Sequence, residues 1–277
     1  MNQKTIQRNV INSGISSFAS MSIQVVTSMW VRTIINHQYR YGNSFYTTSK
    51  QLYSEGGVLR FYRGFLPAMT LGPLLRTSGI MSNTYVLNKF KDTNVPMSVQ
   101  TLIGTGLATI CRISLLPLST YKNIVQVEGK NGFHILKQKI RSNGPHVLYN
   151  GSVAGIMVSS TAYYPWYFTF NIMDKYLPNY QDQLHKTIRN GSIGFCASVI
   201  SDCVSNSFRI LKIYKQTHQT HLSYLQIIKT IQKNDGYMGI FSRGLSTRII
   251  VNGIQGILFT ICWKYLEELD LVGYFIR

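Results

Sequence analysis

Four features recur along this chain at one spacing, and any fold must accommodate them. Gly14, Gly104 and Gly194 stand 90 residues apart, as do Arg32, Lys122 and Lys212, and Asn36, Gln126 and Gln216. Farther along, "EGGVLRFYRG" (55–64), "NGPHVLYNG" (143–151) and "DGYMGIFSRG" (235–244) recur at nearly the same period. Each is an acidic or Asn residue, a Gly, a spacer, an aromatic and a closing Gly. Self-similarity at a single long period means one supersecondary unit used repeatedly. The units run 1–94, 95–183 and 184–277.

Each unit holds two long apolar stretches: 10–37 and 65–89, 97–127 and 152–176, 187–216 and 245–269. A helix of such length covers about 30 Å of hydrocarbon. Hydrophobic residues make up 45% of the chain and charged residues 14%, well under the quarter usual in soluble domains. The glycines Gly14, Gly104, Gly106, Gly191 and Gly194 suit close helix contact. The expected fold is therefore an all-α membrane protein. It has six transmembrane helices in three pseudo-threefold repeats, with short amphipathic helices near 44–54, 131–142 and 222–233.

Charge sets orientation and narrows function. There are 28 Lys plus Arg against 10 Asp plus Glu, a net charge of +18. Eleven of the bases, from Arg40 to Arg243, lie in the linkers within units, whereas the connections between units carry Lys91 and Lys186. The positive-inside rule then puts the linkers on a matrix- or cytosol-like side, with both termini opposite. The basic balance points to an anionic surface or ligand. No zinc-finger spacing, basic-region heptad or aromatic ribonucleoprotein pattern points to nucleic acid. Cys111, Cys196, Cys203 and Cys262 all lie in apolar stretches without close pairs and are expected to be reduced. No catalytic triad order, phosphate-binding Gly loop or metal motif stands out, so no enzyme, metal or cofactor is expected. "MNQKTIQRNV" has neither a secretory nor a transit pattern, so any organelle address is expected to be internal.

With these residues in view, the sequence resembles the mitochondrial carrier family over nearly its whole length. The family's odd helices end in proline, any residue, an acid, two residues and a base; an acid–Gly…aromatic–base–Gly motif follows before each even helix. The second unit fits best, with Pro117, Ser119, Lys122, Gln126, Gly144, Tyr149 and Gly151. The third unit is most similar to the citrate/oxoglutarate-type carriers. The resemblance implies a matrix gate of salt bridges between neighbouring units, each braced by a glutamine. Here the bases are Arg32, Lys122 and Lys212, and the braces Gln126 and Gln216. The acid places hold Met29, Ser119 and Arg209, and two proline places hold Thr27 and Ser207. Family pairing sets Met29 near Lys122, Ser119 near Lys212 and Arg209 near Arg32. Each lost pair forfeits ~1–4 kcal/mol of attraction at intermediate dielectric. At the opposite gate, the resemblance pairs Asp174 with Lys264, a salt bridge with its charges exchanged. Lys89 with Asn171, and Glu267 with Val86, are weak.

Five residues before the proline place that opens the gate motif, near the level that lines the carrier cavity, stand Ser22, Arg112 and Asp202, with bases ten residues farther on. Charge within an apolar stretch is expensive and usually marks a water-filled pathway. Arg76, Arg248, Asn252 and Gln255 add polar groups on the even helices. The candidate substrate-binding set is Arg112, Asp202, Arg248, Arg76 and Asn252; a bare Arg112–Asp202 staple between helices is the plain alternative. The family's contact positions fall on Leu71, Val158, Ser159, Val251 and Asn252, an apolar set. The expected function is exchange of a small anionic metabolite, a di- or tricarboxylate, by alternating access in the mitochondrial inner membrane. An anionic lipid such as cardiolipin is an expected partner. The competing expectation is a carrier fold that no longer transports and serves as a structural subunit of a respiratory-chain or other membrane complex.

Overall fold

The structure, a computed structural model, describes residues 3–90, 95–178, 182–220 and 222–255. Every regular element among these residues is helical. The order is α1 (Gln3–Tyr41), α2 (Phe45–Phe61), α3 (Phe65–Lys89), α4 (Met97–Ser114), α5 (Leu116–Glu128), α6 (Gly132–Asn143), α7 (Ser152–Tyr176), α8 (Gln183–Thr217), α9 (Tyr224–Asp235) and α10 (Gly239–Ser242). A further helix, α11, is described over 245–255.

Proline placement explains where the long helices break. Pro117 lacks the N–H that would bond four residues back, and its ring crowds that carbonyl. The stretch 97–127 accordingly splits at Leu115 into α4 and α5, with a bend of 60°. Thr27 and Ser207 hold the corresponding places in α1 and α8, which run unbroken for 39 and 35 residues. The linker helices start near the expected positions. α2 keeps helical geometry only as far as Gly56 and Gly57, the latter at φ +61°, so its first segment ends close to residue 54. α9 begins at Tyr224 because Ser223 and Gln226 close a capping box, which satisfies two otherwise orphaned N–H groups.

The helices are less apolar than six independent spans would be. Among the described residues no single helix is long and apolar enough to cross a membrane; the bent pair Leu102–Ser114 plus Leu116–Asn143 meets that test jointly. The cause is polar side chains turned inward. Gln24, Ser28 and Thr33 are buried in α1, and Ser201, Asp202, Ser205 and Asn206 in α8.

Helices α7 and α8 pack along most of their length, as do α3 with α4 and α1 with α3. Helices α1, α5 and α8 also touch pairwise. Their C-terminal halves meet in the main core, where Val31, Ile35 and Tyr39, Val127, and Ile210 and Tyr214 pack with Ile227 and Ile231 of α9. Each such side chain contributes about 1.5–3 kcal/mol by leaving water. The core therefore locks the three helices together at the linker end, one or two turns beyond Arg32, Lys122 and Lys212.

Two closing glycines hold that convergence. Gly64 (φ +80°) and Gly151 (φ +81°) occupy the left-handed region that a Cβ disfavours. A Cβ on Gly64 would lie 3.3 Å from the Lys122 carbonyl oxygen, and one on Gly151 would lie 3.2 Å from that of Lys212. The start of each even helix thus presses on the next unit's gate turn. Gly244 instead faces Tyr39 and Gln38, so the third contact is shifted along α1.

Candidate functional site

Asp202, on α8, is the acidic centre of the interior. Its side chain is 5% exposed and accepts from Arg248 Nε at 2.8 Å, from Arg209 Nη2 at 3.5 Å, and from Asn252 Nδ2. Helical periodicity puts Asp202, Ser205 and Arg209 on one face, and Arg209 Nε also bonds Ser205 Oγ at 3.2 Å. Three donors around one carboxylate offset its desolvation, as a buried charge requires. Arg209, the residue at the third acid place, therefore has a carboxylate partner within its own helix.

Arg112 does not join this centre. Its guanidinium donates to Ser159 Oγ and to Tyr163 Oη, each at 3.1 Å, and lies 5.9 Å from the centroid of the Tyr163 ring. Arg32 Nη2 donates to Gln255 Oε1 at 3.0 Å, while the Gln255 backbone carbonyl accepts from Gln24. Lys122 and Lys212 have no hydrogen-bond or carboxylate partner among the described residues. Lys122 lies within electrostatic reach of Arg32 and Lys212, and Lys212 within reach of Arg112 and Arg209. The interior thus gathers Arg32, Arg112, Lys122, Arg209, Lys212 and Arg248 around one described carboxylate. Arg76 sits on α3, but its side chain lies outside the described residues. Met29, at the first acid place, is fully buried against Val25 and Ala68.

Below the cations, carboxamides shut the linker end. Asn36 Nδ2 donates to Gln126 Oε1 at 2.6 Å, and Asn123 Nδ2 to Gln216 Oε1 at 2.7 Å. Gln216 Nε2 also reaches Thr120 Oγ1 at 3.0 Å. The two brace glutamines are thus brought together with asparagines of neighbouring helices.

A second layer farther out was not among the expected site residues. Arg60 donates to the Gln126 and Val127 carbonyls at 2.8 and 2.7 Å, and to Glu55 at 2.7 Å. Arg243 donates to the Arg40 carbonyl at 3.0 Å and to Asp235 at 2.6 Å. Lys139 donates to the Gln216 carbonyl at 2.7 Å. Each clamp caps the C-terminus of the next unit's odd helix, satisfying orphaned carbonyls and complementing the helix dipole. In the second unit Asn143 stands at the acid's place and Asn150 at that of Arg243, and Lys139 acts without a bonded carboxylate. Burial drives the Lys139 ammonium down to about 8; Glu128 opposes the shift and Arg40 adds to it. Only Arg243 had a sequence signal, the base before a closing Gly.

At the other end, Asp174 bonds Arg189 at 2.8 Å, and Arg189 also donates to the Asp174 and Leu177 carbonyls. Lys89 lies 5.7 Å from the Tyr85 ring centroid. Lys264 and Glu267 lie outside the described residues, as does the side chain of Asn171.

Among the described residues every regular element is helical, and α1, α5 and α8 converge at the linker end. The family model for the mitochondrial carrier protein matches residues 183–269, nearly the whole of the third of the three units read from the sequence. Proteins of that family carry metabolites across the mitochondrial inner membrane. No curated protein matches the chain.

Proposed function

We propose that this protein exchanges a small multivalent carboxylate across the mitochondrial inner membrane by alternating access. The carrying observation is the interior charge balance: six bases share an interior whose one described carboxylate, Asp202, is already bonded by Arg248, Arg209 and Asn252. Arg112 is the leading substrate contact, since its present partners are neutral hydroxyls that an anion can supplement or displace. A guanidinium matches a carboxylate in two parallel hydrogen bonds. Arg248 and Asn252 hold Asp202 and thereby position the wall opposite. On this reading six helices span the membrane, with the clamps and linkers in the matrix and inward polar faces lining the path. Substrate binding lowers the barrier between states by favouring the occluded one. Anionic lipid such as cardiolipin is the expected boundary partner.

One observation favours a second reading. A gate with no motif acids, closed by carboxamides, lacks the pairs whose exchange drives alternation, as expected of a structural subunit of a respiratory-chain complex. Exchange of labelled di- and tricarboxylates in liposomes decides. Saturable exchange, reduced at least tenfold by Arg112→Ala with the fold intact, supports transport. No exchange by the unmodified protein, with stable comigration in a respiratory complex, supports the structural role.

A further inference from the structure

Three bases at one level of the interior keep their places although their motif acids are gone. Lys122 feels the charges of Arg32 and Lys212, and neither lysine ammonium has an acceptor among the described residues. Asp202 already takes Arg248, Arg209 and Asn252, and it stands ten residues before Lys212 on α8, about 15 Å of helical rise away. We propose that Lys122 and Lys212, with Arg32 beside them, form a binding site for a soluble multivalent oxyanion that replaces the missing acids. The linker end of the cavity then closes on a bound anion instead of on internal salt bridges. This deepens the transport reading and rests on it only for the identity of the metabolite.

The site is built. The backbone of Lys122 is pressed by Gly64 and that of Lys212 by Gly151, so neither residue can retreat. The Lys212 stem runs past Gly155, where a Cβ would meet its Cδ and Cε at 3.8 Å and its Nζ at 4.0 Å. The Lys212 side chain therefore lies along the first turn of α7. The carboxamide pairs Asn36–Gln126 and Asn123–Gln216 lie one turn farther on and form an uncharged floor. Above that floor stand three positive charges. A monovalent ion leaves the group strongly positive; an anion of charge two or more, carboxylate or phosphate, balances most of it. Ammonium groups act as point charges without the planar demand of guanidinium, so the site selects charge before shape.

Thermal unfolding of the purified protein in lipid-free detergent tests this, with chloride, sulfate, inorganic phosphate and citrate compared at matched ionic strength. Phosphate and citrate should raise the midpoint at millimolar concentration, citrate most, and chloride should not. Lys122→Met and Lys212→Met should each raise the anion-free midpoint, because each removes an uncompensated charge. Each should also weaken the half-effect concentration of citrate at least tenfold. Ser119→Asp, which restores an acid at its motif place while keeping every base, should do the same. Equal stabilisation by all anions, or citrate stabilisation unchanged in both lysine variants, overturns the site. So does stabilisation seen only with cardiolipin micelles, which would assign the charge to a lipid headgroup. Exchange assays separate the two claims. Citrate binding without exchange sinks transport and keeps the site, whereas exchange without lysine-dependent binding sinks the site.

Discussion

The linker end of this protein carries two layers of cations about one helical turn or two apart, and they are treated oppositely. In the outer layer, Arg60 has Glu55 and two carbonyls, and Arg243 has Asp235 and the carbonyls of Tyr39 and Arg40. In the inner layer, Lys122 and Lys212 have no protein acceptor among the described residues, and Arg32 has only the neutral Gln255 amide. Both Arg60 and Arg243 are almost fully buried, so poor solvation does not distinguish the layers. On the transport reading proposed above, permanence does: joints that hold through the cycle take their counter-charge from the protein, and the path that opens takes it from the bound anion.

The comparison breaks most visibly if the outer layer is removed. Arg60→Ala strips the partners from two buried carbonyls, each costing about 1–3 kcal/mol when left unsatisfied. Glu55 is 39% exposed and can rehydrate, so it adds little. We expect a loss of about 3 kcal/mol in chemical or thermal unfolding, and poor membrane insertion. Lys122→Met should move stability the other way. If both substitutions destabilise alike, the two layers do not differ in kind.

The sequence marks the inner layer and not the outer one, for a physical reason. A shared spacing of 90 residues sets Arg32, Lys122 and Lys212 at equivalent places along α1, α5 and α8, which touch pairwise. Pro117 marks the α4–α5 break, although the stretch 97–127 reads as one apolar run. Spacing says nothing of azimuth, however. Asp202 chose Arg248 and Arg209 over Arg112 because of how α8 and α11 are rotated, which no repeat reveals. The clamps were hidden differently: their acceptors are backbone carbonyls, which have no letter in the sequence. The expected partner of Asp174, Lys264, lies outside the described residues; the described partner is Arg189, a buried base near the start of α8 that no motif marks.

A smaller test sharpens the link between layers. Gly151→Ala puts a Cβ at positive φ, 3.2 Å from the Lys212 carbonyl. We expect a loss of about 1–2 kcal/mol from the left-handed backbone, plus weaker citrate stabilisation as the Lys212 turn is displaced. Gly191, with nothing within 4 Å of its would-be Cβ, is the control. Gly191→Ala should be neutral or stabilise by about 0.5–1 kcal/mol, as for any helix-interior glycine. Equal effects at the two glycines would show that Gly151 serves the backbone and not the gate.

The smallest expected effect concerns the one clamp that lacks an acid. Lys139 caps the Gln216 carbonyl alone at the joint between the second and third units. Its surroundings contain Glu128 on α5, Arg40 on α1 and His218 just beyond α8. Its folded value is about 8, below the ordinary 10.5. The folded state therefore releases this proton first as pH rises, while the unfolded chain still holds it. Stability should increase with pH wherever the unfolded state binds more protons. Below about pH 8 the penalty of the buried charge is fully present; from 8 toward 10.5 it is progressively lost. Between pH 8 and 9.5 the gain should approach about 1 kcal/mol, within the limiting slope of ~1.4 kcal/mol per unit. The neutral amine still donates to Gln216, so the cap survives while its charge is lost. Unfolding midpoints of the unmodified protein and of Lys139→Met, measured across that window, isolate the effect. The unmodified protein should gain stability relative to the variant as pH rises. A constant difference between them would mean that Lys139 keeps an ordinary lysine's proton, and that all three joints are equally indifferent to pH.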